Sequence, residues 1–143
     1  MTHPVPAVAK TALIIDWLAG LGWDVTQETG FPLYPGPEIL MSPDKAVFIT
    51  PTPGPGYVTE EAGLDAWGFQ VRLRGPDNDP LTADLAVQQL DSLILNGPYP
   101  TAVDGIQIAF AGRAGSSPSP LPQSPDDQRF EWTCTYIITT GGG

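Results

Sequence analysis

The side chains that could perform chemistry in this chain are few and poorly spaced for it. His3 and Cys134 are the only histidine and the only cysteine among 143 residues. A cysteine nucleophile needs a neighbouring base and an environment that favours the thiolate. His3 lies near the first residue, far in sequence from any partner, and reads as a plain terminal residue. Cys134 stands in an alternating apolar run, where a small buried thiol is expected. The cluster Asp77, Asn78, Asp79 and Asp84 is oxygen-rich in the manner of a calcium loop. Such loops spread ligands over about twelve residues, with a central glycine and a closing bidentate Glu. Pro80 and the missing Glu break that pattern, so helix capping and turn formation are the expected roles. Gly112–Ser116 (GRAGS) hints at a phosphate loop but lacks the Lys-Ser/Thr ending and a following helix. The carboxylate pairs Glu60-Glu61 and Asp126-Asp127 fall in polar loops. Acid–base work needs one carboxylate of a pair desolvated, so these read as solvated charge. No catalytic residue, cofactor or metal site is assigned, and function is expected to lie in assembly.

The elements that would position any site emerge from patterning. The length fits one domain, residues 1–143, able to bury a core without disulfides or metals. Sixteen acids against six bases give a formal charge of −10. Such a surface repels nucleic-acid phosphates and anionic membranes. No basic-then-apolar leader and no bilayer-length apolar run is seen, so no membrane association is expected. Sixteen glycines and seventeen prolines cluster between patterned segments and point to long loops.

A helix is expected from about Pro6 to Leu21, with Ala7, Thr11, Ile14, Leu18 and Leu21 on its apolar stripe, Trp17 at one edge and Leu13 opposite. Gly22 is placed to end it. Trp23–Gln27 reads as a short strand or extended entry, and Gly30–Pro37 as irregular. Lys45–Thr50 is a strand that Pro51–Gly56 (PTPGPG) should stop. Trp67, Phe69, Val71 and Leu73 alternate with polar residues across the strand Ala66–Leu73. The turn Gly75–Asp79 follows, Asp79 caps, and Pro80 opens a helix to Leu95 with Ala83, Ala86, Val87, Leu90, Leu93 and Ile94 facing the core. Asn96-Gly97-Pro98 ends it. Asp104–Ala111 is a strand with Ile106, Ile108 and Phe110 on one face. Gly112–Gln128 is a flexible connection, expected to be mobile in isolated subunits. Phe130, Trp132, Cys134, Tyr136 and Ile138 line one face of a closing strand to Thr139, and residues 140–143 are a frayed tail. The expected fold is α+β: a mainly antiparallel sheet of four to five strands packed with two amphipathic helices.

Two features suggest contact surface. Leu81, Leu85 and Leu95, with Gln88, lie off the core face of the second helix, covered either by a loop or by another subunit. Arg72 and Arg74 lie on the polar side of their strand and could pair with a neighbouring subunit or within the chain.

The run Phe69-Gln70-Val71-Arg72-Leu73-Arg74-Gly75-Pro76-Asp77, leading into the Asp79–Leu95 helix, resembles the tail-terminator proteins of long-tailed bacteriophages, often labelled minor capsid or minor tail proteins. The amphipathic first helix and the closing strand Phe130–Ile138 are similar too. The proline-rich connections Pro32–Pro37, Pro51–Pro55 and Pro118–Pro125 have no counterpart in that pattern. The resemblance implies a non-enzymatic virion protein, assembled in the host cytoplasm, that forms a homo-oligomeric ring, commonly hexameric. Its implied partners are the tail tube protein and the head–tail connector proteins, with DNA passing through the lumen without specific binding. Negative walls would suit such a conduit, because phosphates do not stick to them. The alternatives are another neck or head-completion connector, a small acidic hydrolase using a loop carboxylate pair, and a monomeric module whose leucine strip is a ligand groove.

Overall fold

A computed structural model describes residues 9–37, 39, 41, 43–59, 64–122 and 129–142, with backbone alone at 54–59, 64 and 142. In chain order the elements are α1 (Lys10–Gly20), β1 (Leu33–Pro35), β2 (Ala46–Thr59), β3 (Leu64–Asp77), α2 (Pro80–Leu95), β4 (Thr101–Val103), β5 (Ile106–Arg113), β6 (Ser119–Pro120) and β7 (Arg129–Gly142). The strands form one sheet in the order β1-β2-β3-β7-β5-β4, with β6 also on β7. Only β1–β2 is parallel. The fold is α+β, as expected, with seven strands among the described residues rather than four or five. None of the described helices is long and apolar enough to cross a membrane.

Both helices lie on one face of the sheet. The strand register explains this: Val71 faces Ile49 on β2 and Cys134 on β7, and Phe69 faces Tyr136. Those side chains share one buried cluster with Trp17 and Leu18 of α1 and Ala83, Val87, Leu90 and Ile94 of α2. Trp17 meets Phe69 edge-on with ring centroids 6.1 Å apart, a favoured aromatic geometry.

Several expectations are corrected. Leu33–Pro35 is not irregular but an edge strand, held by Val47 N–H donating to Pro32 O (2.8 Å) and Gly36 N–H donating to Ile49 O (2.7 Å). An edge strand needs bonds on one side only, so prolines fit there. The run Pro51–Gly56 does not stop β2; register shifts between Thr52 and Gly56 carry the prolines while the pairing with β3 resumes. Trp23–Gln27 is not a strand: Asp24 Oδ1 accepts from Thr26 and Oδ2 from Thr29 (2.6 Å), closing a polar turn. In α1 the buried residues are Leu13, Ile14, Trp17 and Leu18. The helix is apolar on most sides, so pattern alone does not fix its rotation; packing on the sheet turns Leu13 inward beside Trp17. Gly22 does follow the helix with φ +103°, a conformation that glycine adopts without a Cβ penalty.

The register of β5 against β7 slips between Ile108 and Phe110. Ala109 is the extra residue, and the slip moves Phe110 to the sheet face opposite the helices, facing Thr139. The alternation expected for Ile106, Ile108 and Phe110 therefore fails at its last member. The connection after β5 is tied back to β7 through Ala114 N–H to Thr135 O and Leu121 N–H to Glu131 O, both 2.9 Å. The expected flexible loop is therefore anchored over its described part, and 123–128 lie outside the described residues. The tail is not frayed from residue 140: Thr140 is buried, and β7 stays paired through Gly142.

Candidate assembly surface

Among the described residues, those flagged for chemistry do not converge. His3, Glu60, Glu61, Asp126 and Asp127 lie outside the described residues. Asp79 caps α2: Oδ1 accepts from Thr82 N–H at 3.1 Å and Oδ2 from the Thr82 hydroxyl at 2.6 Å. These bonds hold its carboxyl below the usual aspartate range. Asn78 takes φ 55° in the turn before the helix, a left-handed conformation that Asn tolerates. Gly75 is required by packing, because a Cβ there would lie 2.6 Å from Ala83 Cβ. Its place in the Arg-Gly-acidic turn thus lets α2 approach the end of β3. Among the described residues, no group of three His, Cys, Asp or Glu side chains could hold a metal ion. Cys134 is buried, and burial pushes its thiol up, so it stays protonated. Gly112–Ser116 forms no phosphate loop. Its Ala114–Ser116 part rims a hollow of about 250 Å³ with Ser117, Ser119 and Thr133–Thr135, and no helix follows among the described residues.

The residue that sequence reading missed is Asp91, buried at 4% exposure on the core face of α2. It receives Arg113 Nε at 3.1 Å, Arg113 Nη2 at 2.5 Å and the Tyr136 hydroxyl at 2.7 Å. Burial pushes its carboxyl up, but the bonds from Arg113 and Tyr136 outweigh that and leave it below the usual range. The same burial, with Cys134 and Asp91 beside it, pushes the Tyr136 phenol far up. The cluster joins α2 to β5 and β7, and each member is satisfied by the others. It has the make-up of a structural clamp, with no proton poised for transfer near neutrality. The available signal was position: Asp91 falls four residues after Val87 and three before Ile94, inside the apolar stripe.

The basic residues expected at a subunit contact are used within the chain. Arg72 pairs with Glu131 across β3 and β7. Arg74 is buried, with Nε donating to Asp44 O (2.9 Å), Nη2 to Pro43 O (2.6 Å), and the guanidinium over the Phe48 ring. Both follow the second of the two alternatives the sequence leaves open, pairing within the chain. Cross-strand register explains them, since Arg74 faces Glu131 on β7 and Ala46 on β2 beneath the preceding loop. Leu95, expected off the core face, is half-buried and packs against the core.

What remains outward is a ridge on α2. Leu81 is 78% exposed and Leu85 61%. They are four residues apart, with exposed Gln88 on the same face. The other exposed large apolar residues among the described ones are Met41 at 77%, Val25 at 43% and Phe110 at 57%; Phe110 lies on the sheet face away from α2. Beside the C-terminal half of α2 run two hollows of about 300 and 390 Å³ that share Gln89 and Leu93; Trp23 and Phe31 wall the first, and Leu21 and Pro98 the second. No protein-family model matches the chain, and no curated protein matches it.

Proposed function

We propose that this chain is a non-enzymatic structural protein of a long-tailed bacteriophage that assembles into a ring, caps the tail tube and joins it to the head. The observation that carries this reading is the Leu81–Leu85 ridge. Two leucines on an outward helix face cost solvation in a free monomer and favour burial against another protein surface. The satisfied clamp at Asp91 and the absence of converging catalytic groups among the described residues are consistent with a role in assembly. The strand–turn–helix unit from Phe69 to Leu95, whose Gly75 is required for close packing, is the part that resembles tail terminators. The excess of acids suits a conduit through which DNA passes.

The test is the mass of the purified particle in solution together with negative-stain images, followed by addition to purified tail tubes. A ring with a central hole that caps tube ends is the expected result. A strict monomer that neither binds tubes nor stops their growth refutes the reading; adherence to DNA-filled heads alone favours the head-completion alternative. The hollows beside Gln89 and Leu93 are what a monomeric binding module would use. Leu93→Asp abolishing the binding of a defined ligand, with assembly intact, would favour that second reading.

A further inference from the structure

We infer that the α2 ridge docks head-to-tail onto the β5 face of a second copy of this chain, with Phe110 as the knob. The inference rests on the assembly reading above and names both halves of its interface. The ridge cannot comfortably meet its own twin. Asp77 is exposed three residues before the helix, Asp79 caps it, and Asp84 stands next to Leu85 in the chain. The Asp79 carboxyl is held below its usual range and stays anionic. Two ridges face to face would bring these carboxylates together, and like charges juxtaposed at an interface are costly.

The β5 side lacks that repulsion. From Gly105 to Pro122 the sequence contains no Asp or Glu, and its one charged residue is Arg113. Arg113 is bound to Asp91 on the helix side of the sheet, so the outward face of β5 around Phe110 carries no charged side chain of its own. Phe110 is turned outward by the extra residue at Ala109, on the sheet face away from α2. Ridge and knob therefore occupy opposite sides of one subunit and cannot satisfy each other within it. Two unlike patches on opposite sides make a heterologous contact, which propagates from copy to copy and closes into a ring when the rotation allows. An isologous dimer through α2 would leave Phe110 in water and place the acids together.

The test uses the full chain. Leu85→Cys and Phe110→Cys variants are mixed under mild oxidation, and disulfide-linked pairs are counted by mass. The mixture is expected to cross-link at least tenfold faster than either variant alone, because only the mixture brings the two positions together. In parallel, Leu85→Asp and Phe110→Asp should each prevent ring closure with unchanged melting. Mixed together they should form pairs that do not grow, since one intact ridge and one intact knob remain. Rapid linking of Leu85→Cys with itself overturns the inference in favour of an isologous contact. Rings that form normally with Phe110→Asp but not with Leu85→Asp overturn the knob while leaving the ring reading in place. A wild-type chain that stays monomeric at every concentration and on tubes removes both.

Discussion

Replacing Asp91 by Ala tests the clamp that fastens α2 to the sheet. The substitution removes two bonds from Arg113 and one from Tyr136. Hydrogen bonds to a charged group contribute roughly 1.5–3 kcal/mol, and a buried hydroxyl left without a partner costs about 1–3 kcal/mol. Arg113 keeps a third of its side-chain surface in water, so it recovers solvation and its share is discounted toward the lower bound. Ala is also a better helix former than Asp by about 0.6 kcal/mol. The net loss comes to about 3 kcal/mol, which for a chain of this length lowers the melting temperature by roughly 10 °C. Tyr136→Phe removes only the hydroxyl and leaves the ion pair, so it should cost about 1 kcal/mol. Urea unfolding of both single variants and the double variant checks this, and the double loss should fall short of the sum because they share a bond. The pH dependence supplies a second check. The Asp91 carboxyl is depressed in the folded state, so its contribution is present above the unfolded aspartate pKa and fades as pH falls through the folded value. Wild type and Asp91→Ala should therefore converge in acid. A loss below about 0.5 kcal/mol near neutrality, typical of a surface substitution, would refute the clamp.

Two further outcomes follow from local geometry. Gly75→Ala should destabilise the fold by about 1–3 kcal/mol, because the new Cβ meets Ala83 at 2.6 Å and α2 must shift away from β3; thermal melts with unchanged stability would show that the contact relaxes freely. Asp104 shares a hydrogen bond with Asp16, which raises its pKa with help from slight desolvation and like-charge repulsion. Its stabilising contribution is thus complete below the unfolded aspartate pKa and is lost as pH rises through the raised folded value. Asp104→Asn should melt higher than wild type near neutrality, with the gain shrinking as pH falls through the carboxylate range; a gain independent of pH would exclude the shared proton.

Sequence by itself determined the elements whose physics is local. The strand Ala66–Leu73, the closing strand through Cys134 and Tyr136, and the Asp79-Pro80 opening of α2 were legible because a two-residue alternation and a side-chain cap need nothing beyond a few neighbours. The outward placement of Leu81 and Leu85 was legible for the same reason, since helical spacing alone puts them off the stripe of Ala83, Val87 and Leu90. Tertiary structure decided the rest. Leu33–Pro35 is a strand because β2 offers it an edge, and PTPGPG is tolerated because the register against β3 slips there. The partners of Arg72 and Arg74 are set by cross-strand register and a folded-back loop, dozens of residues away in sequence. Asp91 looks like a misplaced charge until β5 and β7 bring Arg113 and Tyr136 beneath it. Phe110 looks like core until one extra residue turns it outward. Periodicity specifies which residues share a face, but bulges, register and the choice of partner are set by long-range contacts, and here those contacts also define which apolar side chains are left exposed.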